Sequence, residues 1–455
     1  MRWLSPFAPK RSLPLLSLAI AALTDYSTPG FHCAVLSGLL PENTFFPGSE
    51  SYSASISSYY SLQARLNPAC IVIPSSAIDL PNAIFALRGG GHPPNVGFAN
   101  TKHGITIDLS LLSDVRTNDD GSIVSVEPGA RWTEVHRAFD PLGLDVVGGK
   151  VGTVGVGGLI TGGGVSAFSP MRGWACDNVL NMQVGLASGE IIEVNDKNER
   201  ADLFVALKGG QGNLGIVTRF DLRPFRQSPY WGGLIFHPPS TEETQLAAFA
   251  EFRDPANYNP RAGVEHNFMY VSSNDGTGIP FCMNSMLYSE EHANLQLTDF
   301  TEELGNNPFP HNRYLIQACT TFRFSPEILP QILAIWSGYR DKIQNARIPD
   351  TMLAMTLLDV PALLPTSHNS LGFPPDSKPD RELILCLFSI YWLNDEYSSR
   401  MEHHALDHPY RYINYANAAN QDPLRGKYDP HRVFQEKVPG GWKFPLDENF
   451  GFENS

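Results

Sequence analysis

Hydrophobic residues fall into short runs along the first half of this chain and into longer ones along the second. Between residues 27 and 225 the segments 105–110 (ITIDLS), 123–130 (IVSVEPGA), 182–189 (MQVGLASG) and 215–222 (GIVTRFDL) are β-rich and bounded by Gly, Asn or Asp, the pattern of short strands. Segment 130–143 (ARWTEVHRAFDPLG) has helical spacing, with Trp132, Val135 and Phe139 on one face and Gly143 as the stop. Segments 70–73 and 84–87 also read as strands, with ten residues between them. A parallel crossover needs about ten to twelve residues, usually with a helix, so this connection barely closes.

From about residue 226 the texture changes. Segments 266–273, 280–289, 313–322, 350–359 and 383–392 read as five strands, separated by helical stretches. Ser240 and Glu243 form a capping-box pattern ahead of TQLAAFAEFR, and Ser325-Pro326-Glu327 opens another helix. Segment 363–380, rich in Pro, Ser and Gly, reads as a surface loop. Strands with helices over one face make a second α+β unit.

A length of 455 residues is enough for two substantial domains, and 42% hydrophobic with 18% charged residues describes an ordinary globular chain. The net charge of −14 argues against nucleic acid or an anionic membrane as partner, since both require a basic face. Residues 1–22 read as a secretory signal: Arg2, Lys10 and Arg11 precede a short apolar run and Ala19-Ile20-Ala21. That run is too short to span a bilayer. The absence of any Asn-x-Ser/Thr acceptor favours the intracellular alternative. Cys176, Cys282, Cys319 and Cys386 sit in apolar text and read as buried small hydrophobes. No Cys/His spacing suggests a metal.

The candidate chemistry lies in two glycine-rich stretches, Arg88-Gly89-Gly90-Gly91-His92 and 148–164 (GGKVGTVGVGGLITGGG). Such loops let backbone N–H groups approach an anion, and they adopt left-handed turns without penalty. Neither is a GxGxxG fingerprint or a P-loop. Together they suggest a large phosphorylated cofactor with an imidazole beside it.

These stretches and three others resemble the FAD-linked oxidoreductases of the vanillyl-alcohol-oxidase type, and within them the berberine-bridge-enzyme-like oxidases. The resemblance is carried in order by RGGGHPPNVGFAN with GITIDLSLL, by the second glycine run, by RGWACDNVLNMQVGLASGEIIEVN, by LFVALKGGQGNLGIVTRFDLRPF, and by YRYINYANAAN with KYDPHRVFQ. The forms TVGVGGL and YDPHRVFQ resemble the fungal subgroup of secondary metabolism. The resemblance implies an α+β fold with a two-subdomain PCMH-type FAD-binding domain at 27–225. A substrate-binding domain at 226–405 would carry a large antiparallel sheet covered by helices. Residues 406–455 would return to the FAD domain. It also implies a Cys33–Cys70 pair.

By resemblance His92 is bonded to the flavin, and Arg88, Gly89, Gly90 and Gly91 belong to the same loop. Gly152, Thr153, Val154, Gly155 and Gly158 would cradle pyrophosphate or ribityl atoms through backbone N–H groups and the Thr153 hydroxyl. Gly215, Ile216 and Val217 would touch the cofactor through their backbone. Tyr412 would pack on the flavin, and Tyr415 with Asn414 would be the polar groups facing substrate. Tyr415 reads equally as catalytic base or as aromatic wall. Many relatives have a second link through a cysteine where this chain has Val151, so a single link is expected. The implied activity is hydride transfer from a small metabolite to FAD, with dioxygen as acceptor. A carbohydrate oxidase is the alternative, and the short segment before Arg88 leaves a flavin-free binding protein as the third.

Overall fold

All four residues of strand Ile105–Asp108 are buried, as expected of a strand with neighbours on both edges and cover on both faces. In the computed structural model, strands Cys70–Val72 and Phe85–Arg88 pair parallel to it on either side. Strand Thr44–Phe45 completes the sheet beyond Cys70–Val72. The model describes residues 29–76, 85–226, 229–289, 296–306, 311–323, 325–361, 364, 368–371 and 383–398. Both strands beside the short connection therefore form, one on either side of Ile105–Asp108. Helix Pro29–Leu39 is tied to this sheet by a Cys33–Cys70 disulfide.

A second sheet is wholly antiparallel, in the order Val115–Thr117, Val124–Val126, Ile216–Leu222, Val179–Gly185, Ile191–Val194. Its core is built on Trp132, Val135 and Phe139, the three residues that share a face of helix Trp132–Phe139. Gly143 ends that segment in the left-handed region, at φ 61°.

The largest sheet has six antiparallel strands, in the order Tyr230–His237, Gly278–Ser289, Ala262–Ser272, Met352–Asp359, Leu383–Trp392, Tyr314–Arg323. One face packs Phe268, Cys282, Met355 and Ile384 beneath helices Glu242–Arg253 and Leu329–Ala346, which contribute Leu246, Phe249, Ile332 and Trp336. Each such side chain contributes about 1.5–3 kcal/mol when fully buried. Glu242 joins the two helices, accepting from Trp336 Nε1 at 3.0 Å and pairing with Arg340 at 3.3 Å. The opposite face carries Met269, Met283, Leu315, Met352 and Tyr391, with Tyr60 of the first unit packed against them.

One strand was missed in the sequence and three readings need correction. Strand Tyr230–His237 was hidden by its Gly pair, which reads as a breaker. A Cβ at Gly232 would lie 2.1 Å from Met286 O, so the close strand approach demands glycine there. The Ser240/Glu243 capping box does not form, because 239–241 winds into a 3-10 turn and the helix starts after Thr241 without a side-chain cap. Segment 363–380 is not wholly a surface loop. Leu371 is buried in the core of the second sheet's unit, and Ser370 Oγ donates to Ala206 O at 3.2 Å and Lys208 O at 3.0 Å. Cys319 is only partly buried, unlike Cys176, Cys282 and Cys386.

Candidate functional site

The two glycine loops meet backbone to backbone. A Cβ on Gly90 would stand 2.5 Å from Gly155 N, and one on Gly155 would stand 2.4 Å from Gly90 N. No side chain fits at that distance, so both positions require glycine. Arg131, at the start of helix Trp132–Phe139, fastens the pair. Its guanidinium donates to Thr153 O and, at 3.1 Å, to Gly90 O. Its own N–H is capped by Glu134 Oε2 at 2.7 Å. Burial pulls the Arg131 pKa below its ordinary value.

The second loop is shaped by the same helix. Gly148 and Gly149 lie against the Trp132 indole, where a Cβ would approach to 2.2 and 2.4 Å. Gly152 N–H donates to Thr301 O at 3.0 Å and Val154 N–H to Val151 O at 3.1 Å. These two donors are engaged within the protein, contrary to the expectation that they point at a phosphate. A Cβ at Gly158 would meet nothing within 4 Å. Val151 packs beside Phe168, Phe300 and Leu304.

Next to the first loop lies a cavity of about 340 Å³ lined by Ser55, Ser58, Arg88, Gly89, Ser110 and Arg131, among others. Arg88 is buried there, bonded to Asp108 Oδ2 at 2.6 Å and Ser55 O at 3.0 Å, while its Nε has no acceptor among the described residues. Two guanidiniums beside a glycine backbone make a wall that suits phosphate oxygens, although Arg88 is paired with the Asp108 carboxylate and the Ser55 and Ser58 hydroxyls donate within the wall. A cradle that excludes Cβ atoms and a buried unpaired donor fit a dinucleotide cofactor.

His92 leaves the first loop toward the second, with Nε2 3.5 Å from Thr153 Oγ1. Its ring stacks on Tyr60, centroids 4.1 Å apart and planes at 18°. Burial, reinforced by Arg131 and His311, pushes its pKa down to about 3. The imidazole is therefore neutral near pH 7, with a lone pair available for bonding. Gly215 allows strand Ile216–Leu222 to lie against Val184, to whose Cγ1 a Cβ would come within 2.5 Å. The side chains of Ile216 and Val217 enter two different cores, which leaves only their backbone for a cofactor.

Sequence reasoning missed the face of the six-stranded sheet opposite its helices, which packs on Tyr60. Across its apolar surface runs a polar band. Thr356 Oγ1 donates to Asn267 Oδ1 at 2.6 Å, and Gln317 Nε2 donates to Ser389 Oγ at 3.2 Å. Glu265 ends the band in an ion pair with Lys150 of the second glycine loop. Only strand parity could have shown that these residues share a face. Arg131 and Tyr60 were missed too, because neither lies in a motif. Tyr412, Asn414 and Tyr415 lie outside the described residues.

Comparison with known proteins agrees with this geometry. Residues 69–195 match the model of the FAD binding domain family. The FAD-dependent monooxygenase drtC of Aspergillus calidoustus is 30% identical over 88% of each chain. Berberine bridge enzyme from Eschscholzia californica superposes with a TM-score of 0.66 at 14% identity, over 92% of this chain and 100% of that one. Xylooligosaccharide oxidase from Myceliophthora thermophila does so with 0.68 at 16% identity, over 91% and 100%.

Proposed function

The chain belongs to the FAD-linked oxidoreductases with a PCMH-type FAD-binding domain and the berberine bridge enzyme fold, and from that premise we propose that it oxidises a C–H bond of a small, largely apolar secondary metabolite. When bound, FAD supplies the redox chemistry: it accepts a hydride at N5 and passes two electrons to dioxygen. The two glycine loops and Arg131 hold it, and His92 is its single covalent anchor. Val151 offers no sulfur for a second link. Tyr415, with Asn414, receives the hydroxyl proton as hydride leaves.

One observation carries the choice of substrate. The face of the sheet turned toward Tyr60 and His92 is built of buried Met269, Met283, Met352 and Leu315, continues into exposed Phe236 and Ile279, and carries a narrow polar band. Apolar walls with a few placed polar groups suit a planar metabolite with one or two oxygens. An oligosaccharide would need donors and acceptors along its whole length. The flavin-free alternative has lost its motive, since both strands beside the short connection form and pair. The Cys33–Cys70 disulfide supports passage through an oxidising compartment.

A peroxide-release screen of aromatic metabolites, alcohols and sugars tests this reading. Turnover of a sugar in preference to the metabolites would move the protein to the carbohydrate alternative. The monooxygenase name of the relative at 30% identity favours a second outcome, oxygen transfer to the product. Labelled dioxygen separates the two: oxidation leaves the label in peroxide, whereas oxygenation places it in the product. Tyr415→Phe should slow anaerobic flavin reduction by about 10²–10⁴ if the phenol is the base. A fall in affinity alone would make it a wall.

A further inference from the structure

Tyr60 is attached to the first glycine loop twice. Its N–H donates to Gly91 O at 3.1 Å, and its ring lies flat on His92 at 4.1 Å. From the other side His311 meets the Tyr60 ring edge-on at 4.8 Å, and Asn312 N–H donates to Tyr60 O at 3.1 Å. The Tyr60 hydroxyl shares a hydrogen bond with Tyr391 on the face of the sheet opposite its helices. The ring thus fills the space between His92 and the cluster of Met269, Leu315 and Met352.

We propose that Tyr60 is a positioning residue for flavin attachment, setting the plane of the His92 imidazole and shielding one face of it from water. The inference rests on the reading that His92 bonds the flavin. Forming the C–N bond removes one hydrogen from the 8α-methyl carbon and one from the imidazole. The two electrons pass through the flavin ring to dioxygen, which leaves as hydrogen peroxide. A protonated imidazole has no lone pair for this bond, so the step needs a neutral ring in a fixed plane. The other groups around His92 are the Arg131 guanidinium, His311 and the Thr153 hydroxyl. The two basic groups disfavour an imidazolium, and Tyr60 covers one face of the part-buried ring.

The test is the rate of covalent attachment when full-length protein from flavin-depleted cells is mixed with FAD. Acid precipitation and intact mass give the bound fraction, across about pH 5 to 8. Wild type and Tyr60→Phe should attach at similar rates with a flat profile. Tyr60→Ala should attach about tenfold more slowly, as expected from loss of an aromatic stack, and slower still as pH falls through about 6.5. Tyr60→Leu, which keeps apolar volume, carries the test if the alanine variant does not fold: it should show a rate loss with a flatter profile. Wild-type rate and a flat profile in Tyr60→Leu and Tyr60→Ala would overturn the proposal. Release of all flavin from the wild type by acid would overturn the His92 reading itself, and this inference with it.

Discussion

The glycine loops and the face of the six-stranded sheet that packs on Tyr60 are joined through that residue, yet they are made of opposite materials. The loops are built of backbone: Gly90 and Gly155 touch main chain to main chain, and the few side chains involved, Arg131 and Trp132, serve to shape them. The sheet face is built of side chains on a regular backbone, Met and Leu around the Asn267–Thr356 bond. A surface made of backbone tolerates no substitution where chains meet. A surface made of side chains can be rewritten one residue at a time without disturbing the ladder beneath. That division lets one cofactor site serve many substrates.

The comparison is most easily broken at Gly90. Gly90→Ala places a Cβ against Gly155 N at 2.5 Å, and neither backbone can yield without opening the loop. Overpacking of this kind costs about 1–3 kcal/mol or more, so the variant should lose flavin and unfold at lower temperature. Gly158→Ala is the contrast, because nothing stands within 4 Å of the added Cβ. It should melt like the wild type and differ only in flavin content. Equal melting of Gly90→Ala and wild type would refute the claim that the loops are locked by contact.

His92→Ala should come next in size. On the proposed attachment it should abolish an acid-stable link while the loops, which do not depend on that side chain, retain FAD reversibly. Flavin that stays with the protein through acid precipitation of this variant would place the link elsewhere. Thr356→Val tests the other surface. It leaves Asn267 Oδ1 without its donor at 2.6 Å, a loss of about 1 kcal/mol. The expected result is a fall of roughly five- to tenfold in kcat/KM, with flavin content and attachment unchanged. A change in flavin content instead would mean that the two surfaces are not separable.

The same division explains what the sequence disclosed. A cradle that depends on absent side chains is written in the spacing of glycines, so Gly90, His92 and Gly155 were legible beforehand. Five of the six strands of the large sheet were legible from their runs of apolar residues. Strand Tyr230–His237 was not, because Gly232 signals a break locally and is required only by Met286 on the neighbouring strand. Leu371 was hidden in a polar loop, and only Gly163 and Gly209, whose positive φ values of 99° and 110° open a space for it, explain its burial. Arg131 and Tyr60 act across 41 and 32 residues of sequence, to Gly90 and His92, and no local pattern encodes such a contact. Pairing across strands is likewise non-local, so Asn267 and Thr356 could not be joined before the register was known.

The smallest effect at neutral pH concerns the covered face of the sheet, where His266 lies fully buried. Its Nδ1 faces Asn284 Oδ1 at 2.7 Å and so bears the proton, while Nε2 has no partner among the described residues. Protonation would add a buried donor with no acceptor. Burial first, and His237 as a nearby basic group, hold its pKa down to about 4. The ordinary histidine value near 6.5 applies once the chain unfolds. A depressed folded-state pKa means stability that is complete above about 6.5 and lost as pH falls toward 4. At about pH 5 the loss should reach roughly 2 kcal/mol. His266→Gln, which keeps a donor for Asn284 and has no titrating ring, should melt slightly lower near pH 7 but lose less between pH 7 and 5. Thermal melts of the flavin-depleted proteins at both pH values measure the difference. Parallel falls in variant and wild type would show that His266 is not the acid-sensitive group.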